Sequence, residues 1–161
     1  MRLGGLLSRT RVKVAVVAVG ALGALAMSVL PAHAAPIRYE AENATISQGA
    51  VAANHTGFSG TGFVDYTNVS GSFVEWTVDA SAGGSATLAF RYANGTTVDR
   101  PMDIAVNGTT VSPGVSFPGT GNWDTWADKA VTAGLAAGSN KVRATATTAN
   151  GGPNVDYLDV L

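Results

Sequence analysis

The sequence predicts an all-β fold, one antiparallel sandwich of eight or nine strands. No stretch repeats apolar residues at helical spacing. Short runs instead alternate apolar and polar residues, and clusters of Gly, Asn, Ser and Thr separate them roughly every 8–12 residues. That rhythm belongs to sandwiches and barrels rather than to alternating helix and strand.

In chain order, the opening segment 37–44 and the segment 62–67 each read as strand. Within 72–78, Val74, Trp76 and Val78 face one way while Glu75 and Thr77 face the other. From 85 to 92, Ala86, Leu88, Phe90 and Tyr92 form the apolar face. Met102, Ile104 and Val106 lead into Asn107-Gly108, a pair suited to a two-residue hairpin turn because both positions tolerate positive φ. Segments 125–132, 140–147 and 154–160 complete the set. Gly-rich stretches such as 82–85 are turn-sized, so no linker or second domain is expected after residue 35.

Residues 1–34 read as a cleaved signal peptide. Arg2, Arg9, Arg11 and Lys13 precede an apolar run from Val14 to Leu30, and Ala32-His33-Ala34 supplies the small residues that signal peptidase needs. The run is about 17 residues, near the lower limit for a membrane span, but Pro31 and the cleavage signal favour removal. The expectation is a secreted domain, 35–161, without a membrane partner. Four of the ten Lys and Arg lie in the leader, so six basic residues face eleven acidic ones and the remaining charge is about −5. That charge argues against nucleic acid or an anionic membrane as a partner. Five Asn-X-Ser/Thr sequons, at Asn43, Asn54, Asn68, Asn94 and Asn107, read as a consequence of composition.

There is no cysteine, and once His33 is removed His55 is the one histidine left. Disulfide staples, thiolate zinc and histidine-rich metal sites are therefore excluded. A hard cation bound through oxygen, calcium above all in an extracellular setting, remains open. Tyr39-Glu40-Ala41-Glu42 asks for one. Two carboxylates two apart on a strand share a face roughly 6–7 Å from each other, a repulsive arrangement unless a positive charge intervenes. Should the first and last strands pair, Asp156 or Asp159 can approach them, and the Gly-rich loop 57–62 can add carbonyl oxygens. Four exposed acids on edge strands explain the same residues, and both readings stay open at this point.

Catalysis is poorly supported. His55 lies in a loop and no serine stands at a nucleophile elbow. Glu40 and Glu42 approach the separation of roughly 5–5.5 Å used by retaining glycosidases, yet they share one strand with no aromatic cleft around them. A second constellation is aromatic. Trp123 and Trp126 bracket a loop-to-strand junction; Trp126 leads the alternating run Trp126, Asp128, Ala130 and is expected to be packed, whereas Trp123 is expected to be exposed. An exposed indole offers a flat face to the C–H side of a sugar ring. Asn94, Asn122 and Asn154 carry donors and acceptors matched to vicinal hydroxyls. Arg100 is suited to a carboxylate, although a surface salt bridge to Asp99 or Asp103 is the plainer reading.

Taken together, these stretches resemble the carbohydrate-binding modules of families 6 and 35, closer to family 35. The residues that carry the resemblance are Tyr39-Glu40-Ala41-Glu42-Asn43-Ala44, Gly60-Thr61-Gly62-Phe63-Val64-Asp65, Val74-Glu75-Trp76-Thr77-Val78 and Phe90-Arg91-Tyr92-Ala93-Asn94-Gly95. Arg100-Pro101, Trp123-Asp124-Thr125-Trp126 and Asn154-Val155-Asp156-Tyr157-Leu158 follow in the same order, so the resemblance spans 37–160. It implies a galactose-binding-like jelly roll with a structural calcium and a sugar site among the loops at one end. By position it makes Glu40 and Glu42 calcium ligands, with Asp159 rather than Asp156 as their C-terminal partner, Trp123 the stacking aromatic and Asn154 a hydrogen-bonding residue. Some members bind uronic acids through a second calcium and an arginine; Arg100, Asn94 and Asp65 are the matching positions. The expectation is a non-enzymatic, free-standing, monomeric binder of polysaccharide or oligosaccharide, with uronic acid or galactose as the implied sugars. Its rivals are a small glycoside hydrolase or lyase using paired carboxylates, and a structural or adhesion jelly roll without sugar binding.

Overall fold

The computed structural model describes residues 35–161, so the expected leader lies outside the described residues. Eleven strands follow in chain order: β1 Ile37–Glu40, β2 Thr45–Ser47, β3 Gly49–Ala52, β4 Phe63–Tyr66, β5 Phe73–Ala80, β6 Gly84–Ala93, β7 Met102–Val106, β8 Thr109–Val115, β9 Ala127–Leu135, β10 Gly138–Ala146 and β11 Asn154–Val160. The helical content among the described residues is one 3₁₀ turn, Ala41–Asn43. All pairings are antiparallel. One sheet runs β3-β4-β11-β6-β9, with β1 also on β11, and the other runs β2-β5-β10-β7-β8.

The strand count exceeds the expected eight or nine for local reasons. The opening segment is broken by the 3₁₀ turn into β1 and β2. Gln48, at φ 53°, then turns the chain into β3, a strand of small residues that carries no alternation to read. The Asn107-Gly108 hairpin forms as expected, with φ of 50° and 82°.

The alternating faces become the core. Val74, Trp76 and Val78 meet Leu88, Phe90 and Tyr92 across the sandwich, and Met102, Ile104 and Val106 extend the layer. Trp76 stands edge-on to Phe90 at 5.8 Å, and Phe117 packs edge-on against Tyr92 at 5.0 Å. Trp126 departs from expectation. Its parity with Asp128 and Ala130 is that of the outer face, since Val131, Ala133 and Leu135 point inward. It is half-buried outside the main core, edge-on to Phe63 at 5.5 Å.

β11 is the central strand of its sheet. It pairs with β6 on one side, and on the other with β4 at Val155 and then with β1 from Tyr157 to Val160. The register with β6 slips at Asp156, where β11 carries one extra residue, a β-bulge. Because of that residue, Val155 and Leu158, three apart, both face the core. Leu158 is fully buried, so Leu158→Ala should destabilise the domain by about 2–5 kcal/mol, read from a urea transition; a change near zero would show that this strand is not integral to the core.

Candidate functional site

The acidic constellation forms around one loop rather than along one strand. β1 ends at Glu40 and the 3₁₀ turn carries Glu42, so the two do not share a pleated face. Both nevertheless converge on the loop between β3 and β4. Ser59 Oγ donates to Glu40 Oε2 at 2.6 Å, Thr61 N–H donates to Glu42 Oε1 at 2.7 Å, and Ser59 N–H donates to Asp156 Oδ1 at 2.9 Å. The bulge turns Asp156, fully buried, toward that loop, with Arg91 Nε 3.5 Å from its Oδ2. Gly60 is required at the centre: it sits at φ 62°, and a Cβ there would lie 2.2 Å from Glu42 Oε1 and 3.3 Å from the Glu40 carboxyl carbon.

Asp159 is not part of this cluster, which corrects the residue implied by the resemblance. The β1–β11 register sets Arg38 opposite Asp159 and Glu40 opposite Tyr157. Arg38 Nε and Nη2 donate to the two Asp159 oxygens at 2.9 Å each, and the guanidinium lies 3.4 Å from the Tyr157 ring centroid. Asp156 takes the place beside Glu40.

Among the described residues, no three His, Cys, Asp or Glu side chains are close enough to cage a metal by themselves. The three carboxylates are instead spread around Ser59–Thr61 and share its donors. Two features match them to a hard cation. Glu42 Oε2 is buried with no hydrogen-bond partner, and the side chains that converge on the loop present carboxylate oxygens throughout. Glu40, Glu42 and Asp156 thus suit calcium.

The aromatic constellation opens into a cleft of about 380 Å³ at the end of the sandwich where β4 stops and β11 starts. Trp123, Arg100, Asn154, Asp65, His55 and Asn68 line it. Trp123 is half-buried rather than exposed. Its five-membered ring rests on Gly95, where a Cβ would come within 2.4 Å of Cδ1, so a side chain at 95 would displace the indole. Arg100 is 8 % exposed and pairs with neither Asp99 nor Asp103. Its Nη1 donates to Asn68 Oδ1 and Gly152 O at 3.0 Å each and to Asn150 O, while its Nε is buried without a partner. Burial lowers the guanidinium pKa and Asp65 opposes that shift. Asn154 is buried, and its side-chain amide makes no hydrogen bond among the described residues.

Asn94 is a scaffold residue and not a cleft residue. It is fully buried. Its Nδ2 donates to Val98 O at 2.9 Å and Phe117 O at 3.0 Å, and its Oδ1 accepts from Thr96 N–H at 3.1 Å and Thr96 Oγ at 2.7 Å. Every position of the amide that could reach a ligand is already used. It fixes the loop that begins with Gly95, on which Trp123 rests. Sequence reasoning missed His55 and Asn68 as cleft residues. His55 is 68 residues from Trp123, and no local pattern connects them.

The position of Asp156 has a pH signature. Burial is the main cause that raises its carboxyl to about 6; the Ser59 N–H and Arg91 pull it down, and Glu40 adds to the rise. A carboxyl raised on folding contributes stability below its unfolded value near 3.9 and loses that contribution as pH rises through about 6. In chelator, the stability difference between the wild type and Asp156→Asn should shift by on the order of 2–3 kcal/mol between about pH 4 and pH 7, against the wild type at the higher pH. Parallel urea stability profiles for the two proteins would refute this.

Comparison with known proteins gives the family of the fold. The family described as carbohydrate binding module (family 6) matches residues 40–161. A family 35 carbohydrate binding module from Clostridium thermocellum superposes with a TM-score of 0.78 at 47% identity, covering 80% of this chain and 98% of that one. A family 35 module in complex with a glucuronic-acid-containing disaccharide superposes with a TM-score of 0.71 at 39% identity, covering 78% and 92%. An exo-beta-D-glucosaminidase of Amycolatopsis orientalis is 56% identical over 128 residues, 80% of this chain but 12% of that protein. An endo-1,4-beta-xylanase B of Cellvibrio japonicus is 43% identical over 114 residues, 19% of its length. The chain thus spans less than a fifth of either enzyme. It belongs to the carbohydrate-binding modules of the family 6 and 35 type, closer to family 35.

Proposed function

We propose that this protein is a secreted, monomeric, non-catalytic module that binds acidic oligosaccharides in the Trp123 cleft, uronic-acid-containing ones above all. The observation that carries the reading is Arg100, a largely buried guanidinium without an acidic partner among the described residues, lining a cleft beside the indole of Trp123. Arg100 has no carboxylate partner among the described residues, and a sugar carboxylate in the cleft would supply the charge complement through the face of the guanidinium that lines it. Trp123 supplies the face for the pyranose ring, Asn154 offers its free amide to hydroxyls, and Asp65 accepts from them. The structural relative in complex with a glucuronic-acid-containing disaccharide supports the same ligand class.

Asp65 is the one carboxylate among the described residues that line the cleft. A glycoside hydrolase working by the usual pair would need a second across from it, which favours binding over cleavage. In the acidic cluster, Glu40, Glu42 and Asp156 would hold calcium together with carbonyls of the Ser59–Thr61 loop. The ion would supply positive charge that joins the start of the sheet to its central strand.

Calorimetric titration with a glucuronic-acid-containing disaccharide should show micromolar-to-millimolar binding, about −8 to −4 kcal/mol. Trp123→Ala should weaken it at least about tenfold with an unchanged melting transition; undiminished binding would place the sugar elsewhere. Adding chelator should lower the melting temperature by roughly 5–10 °C, and calcium should restore it. A melt indifferent to calcium in demonstrably metal-free protein would remove the ion from the structure.

A further inference from the structure

We infer that His55 is a specificity-determining residue of the cleft, contacting the ligand through Nε2 and favouring acidic over neutral sugars when protonated. This rests on the acidic-sugar reading given above and assigns a second ligand contact to a loop outside the Trp123 segment.

His55 lines the same cleft as Trp123, Arg100 and Asn154. Its ring centroid is 6.2 Å from that of Trp123 with 30° between the planes, so the rings form adjoining parts of one wall rather than a stack. Phe63 supports the imidazole from β4, with centroids 5.8 Å apart. Two clamps tie the His55 loop to the Trp123 loop. Asp124 Oδ1 accepts Thr56 N–H at 2.7 Å, and Trp126 Nε1 donates to Thr56 O at 2.8 Å. The histidine is therefore fixed relative to the indole.

The same Asp124 orients the ring. Its Oδ1 lies 3.5 Å from His55 Nδ1, which assigns the proton of the neutral imidazole to Nδ1. Nε2 has no protein partner among the described residues and remains for the ligand. In the neutral ring it accepts from a sugar hydroxyl; in the imidazolium it donates, and a carboxylate is its best acceptor. The charges around the ring come from four segments. Asp124 lies on the Trp123 loop and Asp65 on β4. Arg100 lines the same cleft, and Arg91 on β6 reaches the His55 loop, its Nη2 donating to Gly57 O at 3.0 Å.

A sugar carboxylate stays ionised over the range in which histidine titrates, so a pH effect on binding reports the protein. The test is calorimetric titration of the intact protein, at fixed calcium, with a glucuronic-acid-containing disaccharide and its neutral counterpart at about pH 5 and about pH 8. The acidic ligand should bind about tenfold tighter at the lower pH, with the neutral ligand unchanged. His55→Gln should abolish the pH dependence while keeping a hydrogen bond to either ligand, and His55→Phe should abolish the pH dependence and weaken both ligands. A pH-independent wild type, or a pH dependence that survives in His55→Gln, overturns the role of His55 and leaves the acidic-sugar reading standing. Failure of the wild type to bind the acidic disaccharide at either pH overturns both.

Discussion

The single extra residue in β11 decides where the rest of this domain's chemistry can stand. An unbroken strand would place Val155 and Leu158 on opposite faces. The bulge lets both enter the core while Asp156 turns toward the Ser59–Thr61 loop. At the start of the same strand, Asn154 reaches the cleft. Core, acidic cluster and cleft thus share seven consecutive residues, held by hydrogen bonding to β6 on one side and to β4 and β1 on the other.

The connection between β3 and β4 is the second shared part. Its Ser59–Thr61 portion gives its donors to Glu40, Glu42 and Asp156. Its His55–Thr56 portion is clamped to Asp124 and Trp126. Among these residues no regular element intervenes, so order at the acidic end is transmitted to the cleft wall through about four residues of backbone. Phe63, fully buried but outside the main core, fills the space beneath and touches His55, Phe58 and Trp126.

The sequence made the central strands legible because their alternation is clean: Val74, Trp76 and Val78 of β5, Leu88, Phe90 and Tyr92 of β6 and Met102, Ile104 and Val106 of β7 all face inward. It was poor at the edges. β2 and β3 bury little, and the turn between them rests on Gln48, a residue with no turn preference to read. The acidic cluster was visible in its residue types but not in its membership. Choosing Asp156 over Asp159 needs the bulge and the β1 register, which no residue spacing reports. Asn94 and Asn154 look alike in sequence, each at a loop-to-strand boundary. Backbone partners within the Asn94 loop consume one amide and leave the other unused.

Gly95 beneath Trp123 bears on the thermodynamics of recognition. With its five-membered ring seated on bare backbone and the underlying loop pinned by a fully bonded Asn94, the indole loses its rotamer freedom when the chain folds. Ordering a side chain at an interface otherwise costs about 0.5–1.5 kcal/mol at the moment of binding. A sugar bound there as proposed would meet a surface already immobilised, so the entropy forfeited would be chiefly its own, and a shallow cleft with few contacts could still discriminate by shape.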